Sequence, residues 1–216
     1  MKNIKNIVLD YDGTLYNSLK TYAPAFRKAY EYLVANSYAE DRVWSDEEIS
    51  KWLGISSKDM WQDFMPDLPE NEKIRGSSTI ESYMVKYIKE GRGELYEGVI
   101  DTLNYLKNKE YNLIFLSNCK IAYMNEHRRI FQLDKYFSDY YCTENFGNIP
   151  KHEIFPKIKN KYNGEFVVIG DRYLDLEIAT INNEKFIGCS YGYGSKDELN
   201  GSDIIINNIK ELKLIL

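Results

Sequence analysis

The feature that most constrains this chain is a change of hydrophobic rhythm along it. Residues 4–10 form one short apolar segment, read as a buried strand, which stops abruptly at Gly13-Thr14. From about residue 18 to residue 93 the apolar positions recur only at helical spacing. Beyond Gly98 the pattern alternates. Strands are expected at 111–116, 140–143, 166–169, 186–189 and 204–206, separated by helices near 99–106, 122–131, 153–162 and 175–182, with a last helix at 209–214. Strands alternating with helices imply βα units and a parallel sheet. The expected architecture is therefore an α/β core built from residues 1–17 and 94–216, interrupted by an all-helical insertion over 18–93.

Within the insertion, Ser18 offers an N-cap ahead of Leu19, Tyr22, Phe26, Tyr30 and Leu33. Ser45 followed by Glu48 is a capping-box pattern for a second helix ending near Leu53-Gly54. Ser57 is the expected cap of a third, through Met60, Trp61 and Phe64. Pro66 and Pro69 break the chain, and a further helix is expected over 80–87, fading at Gly91-Arg92-Gly93. The three tryptophans, Trp44, Trp52 and Trp61, all fall here and are read as core packing.

Composition excludes several classes. The 216 residues suit one large domain, or one domain with an insertion. A formal net charge of -5 gives no electrostatic reason to expect a nucleic-acid partner. No apolar run approaches the roughly 18 residues a membrane span needs, and the N-terminus lacks an apolar leader core. Three cysteines without CxxC spacing make a disulfide framework or a zinc site improbable. These readings lead to the expectation of a cytoplasmic protein. Tyrosine is abundant, 19 in all, and is read as compositional bias without functional content.

In open α/β sheets, ligands bind beyond the carboxyl ends of the strands. The polar residues there are Asp10, Asp12, Gly13 and Thr14 after the first strand, Ser117 and Asn118 after the second, and Gly170, Asp171, Arg172 and Asp175 after the fourth. Taken singly, these are turn residues, helix caps or first-turn acids. Taken together they are carboxylates converging at one sheet edge, which repel one another and call for a hard cation such as Mg²⁺.

At these residues the sequence resembles the haloacid dehalogenase-like hydrolase superfamily. Asp10-Tyr11-Asp12-Gly13-Thr14-Leu15 matches its first motif, Ser117-Asn118 its second, and Gly170-Asp171-Arg172-Tyr173-Leu174-Asp175 its fourth. Tyr96-Glu97-Gly98-Val99, and Gly188 to Gly194 with Glu198-Leu199 behind, resemble the phosphoglycolate-phosphatase-like branch. The resemblance implies a Rossmann-like core with a helical cap and a Mg²⁺-dependent phosphatase acting on a small phosphorylated metabolite, as a monomer or homodimer. It implies Asp10 as nucleophile and Asp12 as general acid and base. The metal would be held by Asp10, the Asp12 backbone carbonyl and Asp171, with Asp175 behind them. Ser117, Asn118, Gly13, Thr14 and a lysine would bind phosphate.

That lysine departs from the common family form, because Lys151 follows Pro150 instead of preceding a proline. Lys151 fits a shorter KxE form, and Lys157 is the alternative. Asn17 stands where many relatives carry Asp. His127 and His152 are assigned no catalysis, and Cys119 is read as a small buried residue. The second Asp, Asp12, disfavours dehalogenase and phosphonatase chemistry. A phosphomutase of the beta-phosphoglucomutase type, or a non-catalytic phosphate-binding regulator, stays open as an alternative.

Overall fold

The computed structural model describes Met1 and residues 3–216. Its strands are β1 (Ile4–Leu9), β2 (Asn112–Ser117), β3 (Asp139–Cys142), β4 (Glu165–Gly170), β5 (Lys185–Cys189) and β6 (Ile204–Ile206). They form one sheet in the order β3-β2-β1-β4-β5-β6, with every pairing parallel. The central strands carry apolar residues on both faces, since helices cover both. Ile7, Leu9, Leu113, Phe115, Val167 and Ile169 enter one apolar cluster. Their neighbours Val8, Ile114, Leu116, Phe166 and Val168 enter the cluster on the opposite face. The period of two along each strand produces this division.

The first face is covered by α5 (Val99–Asn108) and α6 (Ile121–Ile130), through Val99, Leu103, Leu106, Tyr123 and Met124. The second is covered by α7 (Lys151–Lys159) and α8 (Tyr173–Asn182), through Ile154, Phe155, Ile158, Ile178 and Ala179. After β3 the chain returns across the sheet and places β4 on the free side of β1. The carboxyl ends of β1 and β4 thus flank the point where strand order reverses, where an open α/β sheet leaves a crevice.

Between β1 and α5 run α1 (Leu19–Ala35), α2 (Asp46–Ser50), α3 (Ser57–Phe64) and α4 (Glu70–Lys89). Phe26, Leu33, Ile49, Trp52, Trp61 and Ile80 give these helices an apolar cluster of their own. Trp52 and Trp61 are buried in it, and their indole N–H groups donate to Asp63 Oδ2 and Ser77 Oγ. The two connections to the sheet run side by side. The Asn17 N–H donates to the Glu94 carbonyl at 3.1 Å and the Tyr96 N–H to the Leu15 carbonyl at 2.9 Å.

Some local expectations hold and others change. The capping box at Ser45 and Glu48 forms in full. The third helix is capped by Ser56, one residue earlier than expected, with Ser57 its first residue. Ser18 stands at the N-cap of α1 but makes no capping bond with its side chain. The helix expected over 80–87 begins at Glu70, directly after Pro69. Its first half, Gly76-Ser77-Ser78-Thr79, shows no apolar period. Packing holds it: buried Glu72 accepts from the Tyr32 hydroxyl and Gly76 lies directly against the Trp61 ring, while the Ser77, Ser78 and Thr79 hydroxyls turn back on carbonyls one turn earlier. The expected last helix opens as a 3₁₀ turn (Ile209–Glu211) before α9 (Leu212–Ile215).

His127, on α6, is 1% exposed, and its Nδ1 shares a 2.7 Å hydrogen bond with the Tyr11 hydroxyl. Burial holds its pKa down at about 3. The unfolded chain takes up this proton near pH 6.5, so below that pH the unfolded state binds more protons. The stability is present above pH ~6.5 and is lost as the pH falls toward 3. His127→Gln should flatten this dependence. Urea unfolding at pH 7.5 and pH 5 should show the unsubstituted chain losing about 2 kcal/mol more than the variant. Equal losses would show that His127 does not carry the effect.

Candidate active site

The end of β1 delivers Asp10, whose N–H donates to the Ile169 carbonyl on β4 at 2.9 Å. This locks the two strand tips together. Asp10 is buried, as are Asp171 and Asp175, and carboxylate oxygens of the three lie within 4.8 Å of one another. Lys151, the first residue of α7, reaches into the group. Its Nζ donates to Asp10 Oδ1 at 2.5 Å and to Asp175 Oδ1 at 2.8 Å. Lys157 is exposed and lies over the Phe146 ring, so Lys151 is the lysine at this cluster. Helix geometry explains the choice: Ile154, Phe155 and Ile158 bury one face of α7, and Lys151 is on that face one turn before Ile154 and Phe155.

One buried ammonium faces three buried carboxyls. Burial pushes Asp10 well above the carboxylate range, with Lys151 opposing and the charges of Asp175 and Asp171 adding to it. Burial, with Asp175 nearby, pushes Asp171 up to about 7, against the Tyr193 N–H, Arg172 and Lys151. Burial alone would lower the Lys151 pKa, but Asp10 and Asp175 outweigh it and raise it. The cluster thus has oxygen donors only and an excess of negative charge. That donor set fits a hard divalent cation.

Asp12 stands apart from this group. Its Oδ1 accepts from the Tyr123 hydroxyl of α6 at 2.7 Å. Burial raises its pKa to about 6, against hydrogen bonds from Tyr123 and Ser18 and the charge of Lys151. Gly13 turns the chain with φ +93°, and a Cβ there would fall 2.2 Å from Asp171 Oδ2, so no side chain fits. The Thr14 hydroxyl is buried and donates to Asp171 Oδ1 at 3.3 Å. Ser117 ends β2 and is buried. The Asn118 amide reaches the inserted helices and donates to the Gly54 carbonyl at 3.0 Å. Cys119 is half-buried against the sheet cluster, and His152 pairs with Glu177.

Three features of the site go beyond the sequence reading. The first is the loop after β5. The Tyr193 N–H donates to Asp171 Oδ2 at 2.7 Å and the Tyr191 hydroxyl to the Thr14 carbonyl at 2.9 Å. A Cβ on Gly194 would meet the Asp171 carbonyl oxygen at 1.9 Å, so this backbone packs directly on the carboxylate turn. The second is the Tyr193 hydroxyl. It accepts from the Leu19 N–H at 3.0 Å, capping α1 in place of Ser18, and lies 3.2 Å from Asn17 Oδ1. The third is Arg172. Its Nε donates to Glu198, and one terminal nitrogen donates to the Leu53 carbonyl at 2.5 Å and the Lys51 carbonyl at 3.2 Å. The glycines around Tyr193 were a visible signal for the loop; Arg172 stood out at the fourth strand tip, but nothing local marks its reach to the Leu53 and Lys51 carbonyls.

The family model for haloacid dehalogenase-like hydrolases matches residues 7–189. A 5'-nucleotidase of Pseudomonas aeruginosa is 25% identical over 201 residues, which cover 90% of this chain and 86% of that protein. Among solved structures, a predicted phosphatase from Clostridium acetobutylicum superposes with a TM-score of 0.82 at 23% identity, covering 98% of both chains. CbbY from Rhodobacter sphaeroides in complex with phosphate superposes with a TM-score of 0.77 at 19% identity, covering 99% of this chain and all of that one. At such identities the structural likeness establishes the fold.

Lys151→Met would leave the buried carboxyls without their cation. At pH 8 the variant should lose about 3 kcal/mol of stability, and less at pH 5, where raised pKa values let the carboxyls stay protonated. Urea unfolding at both pH values measures this. A loss at pH 8 below roughly 0.5 kcal/mol would be that of an ordinary surface pair.

Proposed function

Because the chain belongs to the haloacid dehalogenase-like hydrolases, we propose that it is a Mg²⁺-dependent phosphatase that hydrolyses a small phosphorylated metabolite through an aspartyl-phosphate on Asp10. The observation that carries this reading is the pairing at the crevice: Asp10 held by Lys151 inside a carboxylate cluster, with Asp12 beside it on a separate hydrogen bond. Binding phosphate alone does not require both a nucleophile and an acid.

In this reading one Asp10 oxygen attacks phosphorus as the bond to the leaving oxygen breaks. Asp12 gives that oxygen its proton, then takes one from the water that hydrolyses the acyl phosphate. Lys151, Ser117, Asn118 and the backbone N–H groups after Asp10, through Gly13 and Thr14, would hold the phosphoryl oxygens. Mg²⁺ on Asp10, the Asp12 carbonyl and Asp171, with Asp175 behind, would neutralise the charge that otherwise opposes attack of one anion on another. The named relatives, a 5'-nucleotidase and a predicted phosphatase, support a phosphate monoester as substrate.

Residues 18–93 act in this proposal as a cap over the 1–17 and 94–216 core, with hinges at 16–18 and 91–96. The bonds from Arg172 and Asn118 to the carbonyls of Lys51, Leu53 and Gly54 would hold it closed. Solution scattering should show a smaller radius with Mg²⁺ and beryllofluoride than without; identical curves would contradict a moving cap.

The function is tested by phosphate release from 4-nitrophenyl phosphate and from a panel of phosphoglycolate, sugar phosphates and nucleotides. Release should require Mg²⁺, stop with a chelator, and fall at least about a thousandfold in Asp10→Asn. Turnover indifferent to that substitution would end the proposed mechanism.

A further inference from the structure

Asp12 has a protein partner that the reaction scheme above leaves without a role. Tyr123 lies on α6 with its ring buried and its hydroxyl 2.7 Å from Asp12 Oδ1. The ring is fixed by His127, whose centroid is 4.0 Å away. His127 is fixed in turn by the Tyr11 hydroxyl at 2.7 Å and by the Tyr16 ring, 4.5 Å off and perpendicular to it. Tyr11 and Tyr16 stack with centroids 5.4 Å apart. The phenol is therefore the tip of a packed aromatic column standing on the same turn that carries Asp12. A phenylalanine would fill the space as well. The hydroxyl is the one part of this residue that packing does not explain, and Asp12 is where it goes.

We propose that Tyr123 is a positioning residue for acid–base catalysis: its hydroxyl holds Asp12 Oδ1 as an acceptor, so that the acid proton is carried on Oδ2, the oxygen Tyr123 leaves unbonded. The inference rests on the phosphatase reading. As the phosphorus–oxygen bond breaks, its electron pair passes to the leaving oxygen, which takes the proton from Oδ2. Asp12 becomes a carboxylate, and the Tyr123 bond becomes charge-assisted at that moment. The hydroxyl thus stabilises the product of proton transfer more than its starting state, as catalysis requires. It also restrains a half-buried side chain that could otherwise turn toward solvent.

The consequence is specific to substrates that need an acid. Phenolate, whose acid has a pKa of about 10, leaves with more need of a proton than 4-nitrophenolate. Tyr123→Phe should therefore lower kcat/KM for phenyl phosphate about tenfold, and for 4-nitrophenyl phosphate less than about twofold. The parameter kcat/KM covers only the steps through departure of the leaving group, so later hydrolysis of the phosphoenzyme does not blur the comparison. In an Asp12→Asn background the same change should add less than about twofold for phenyl phosphate, because the proton it serves is gone. A structural role would depress both substrates alike and would add fully to Asp12→Asn. Equal losses on the two esters, no loss on either, or additivity with Asp12→Asn overturns the proposal. If the unsubstituted chain releases no phosphate from either ester with Mg²⁺, the phosphatase reading fails and this inference falls with it. If it does turn over, the two ideas are judged separately.

Discussion

Everything at the carboxyl edge of this sheet is arranged around one electrostatic difficulty: Asp10, Asp171 and Asp175 are buried within reach of one another, and among the described residues Lys151 is the one whose ammonium bonds to them. Removing charges from water costs several kcal/mol each, and a buried pair returns that cost only when its geometry and hydrogen bonds are good. The site is therefore not a source of stability. Rigidity has to come from elsewhere, and the fold supplies it on both sides of the sheet. Apolar clusters lie behind each strand tip, and α7 is held down by Ile154, Phe155 and Ile158 so that Lys151 arrives at a fixed place.

The same difficulty explains the crowding of backbone against Asp171. Its Oδ2 receives the Tyr193 N–H and its Oδ1 the Thr14 hydroxyl, while Gly13 and Gly194 bring two chain segments closer than any side chain would allow. Neutral donors stabilise the charged form without changing the charge count. The loop that supplies one of these donors also reaches the linker: the Tyr193 hydroxyl caps α1 at Leu19 and contacts Asn17. The seating of the inserted helices and the orientation of Asp171 are thus mechanically linked through one residue. Asn17 suits that link, since it accepts from the phenol without placing another carboxylate beside a cluster that already has an excess.

The sheet was legible in the sequence because burial on both faces leaves unbroken apolar runs, which few other structures require. All six strands lie where those runs stand, within about a residue. The candidate residues were legible because the carboxyl-end strand tips are where an open α/β sheet gathers polar side chains from distant segments around a ligand. Lys151 was harder: its order relative to Pro150 departs from the common form, and only the burial of one helix face separates it from Lys157. The start of α4 was illegible for a different reason. Gly76 to Thr79 has no apolar period, and the contacts that seat it, Glu72 on Tyr32 and Gly76 against Trp61, come from other helices. Arg172, Tyr123 and Tyr193 were invisible as partners because their bonds span more than a hundred residues of chain.

The tyrosine content is where the sequence reading most underestimated the molecule. Tyr11, Tyr16, Tyr96, Tyr123, Tyr191 and Tyr193 all gather near the crevice, and four of their hydroxyls have assigned partners on the strand-tip turn, its linker or the column beneath it. A buried crevice needs donors that survive burial. Lysine or arginine in their place would each add a charge that must be compensated, and serine or asparagine would bring little apolar area to seal the site. Phenol offers a large apolar ring with one polar tip, so a single side chain both dries the site and satisfies a carboxylate or a carbonyl in it. A site already holding three carboxyls and one ammonium can take more such donors without altering its balance, and the next charge it accepts can be the ligand's.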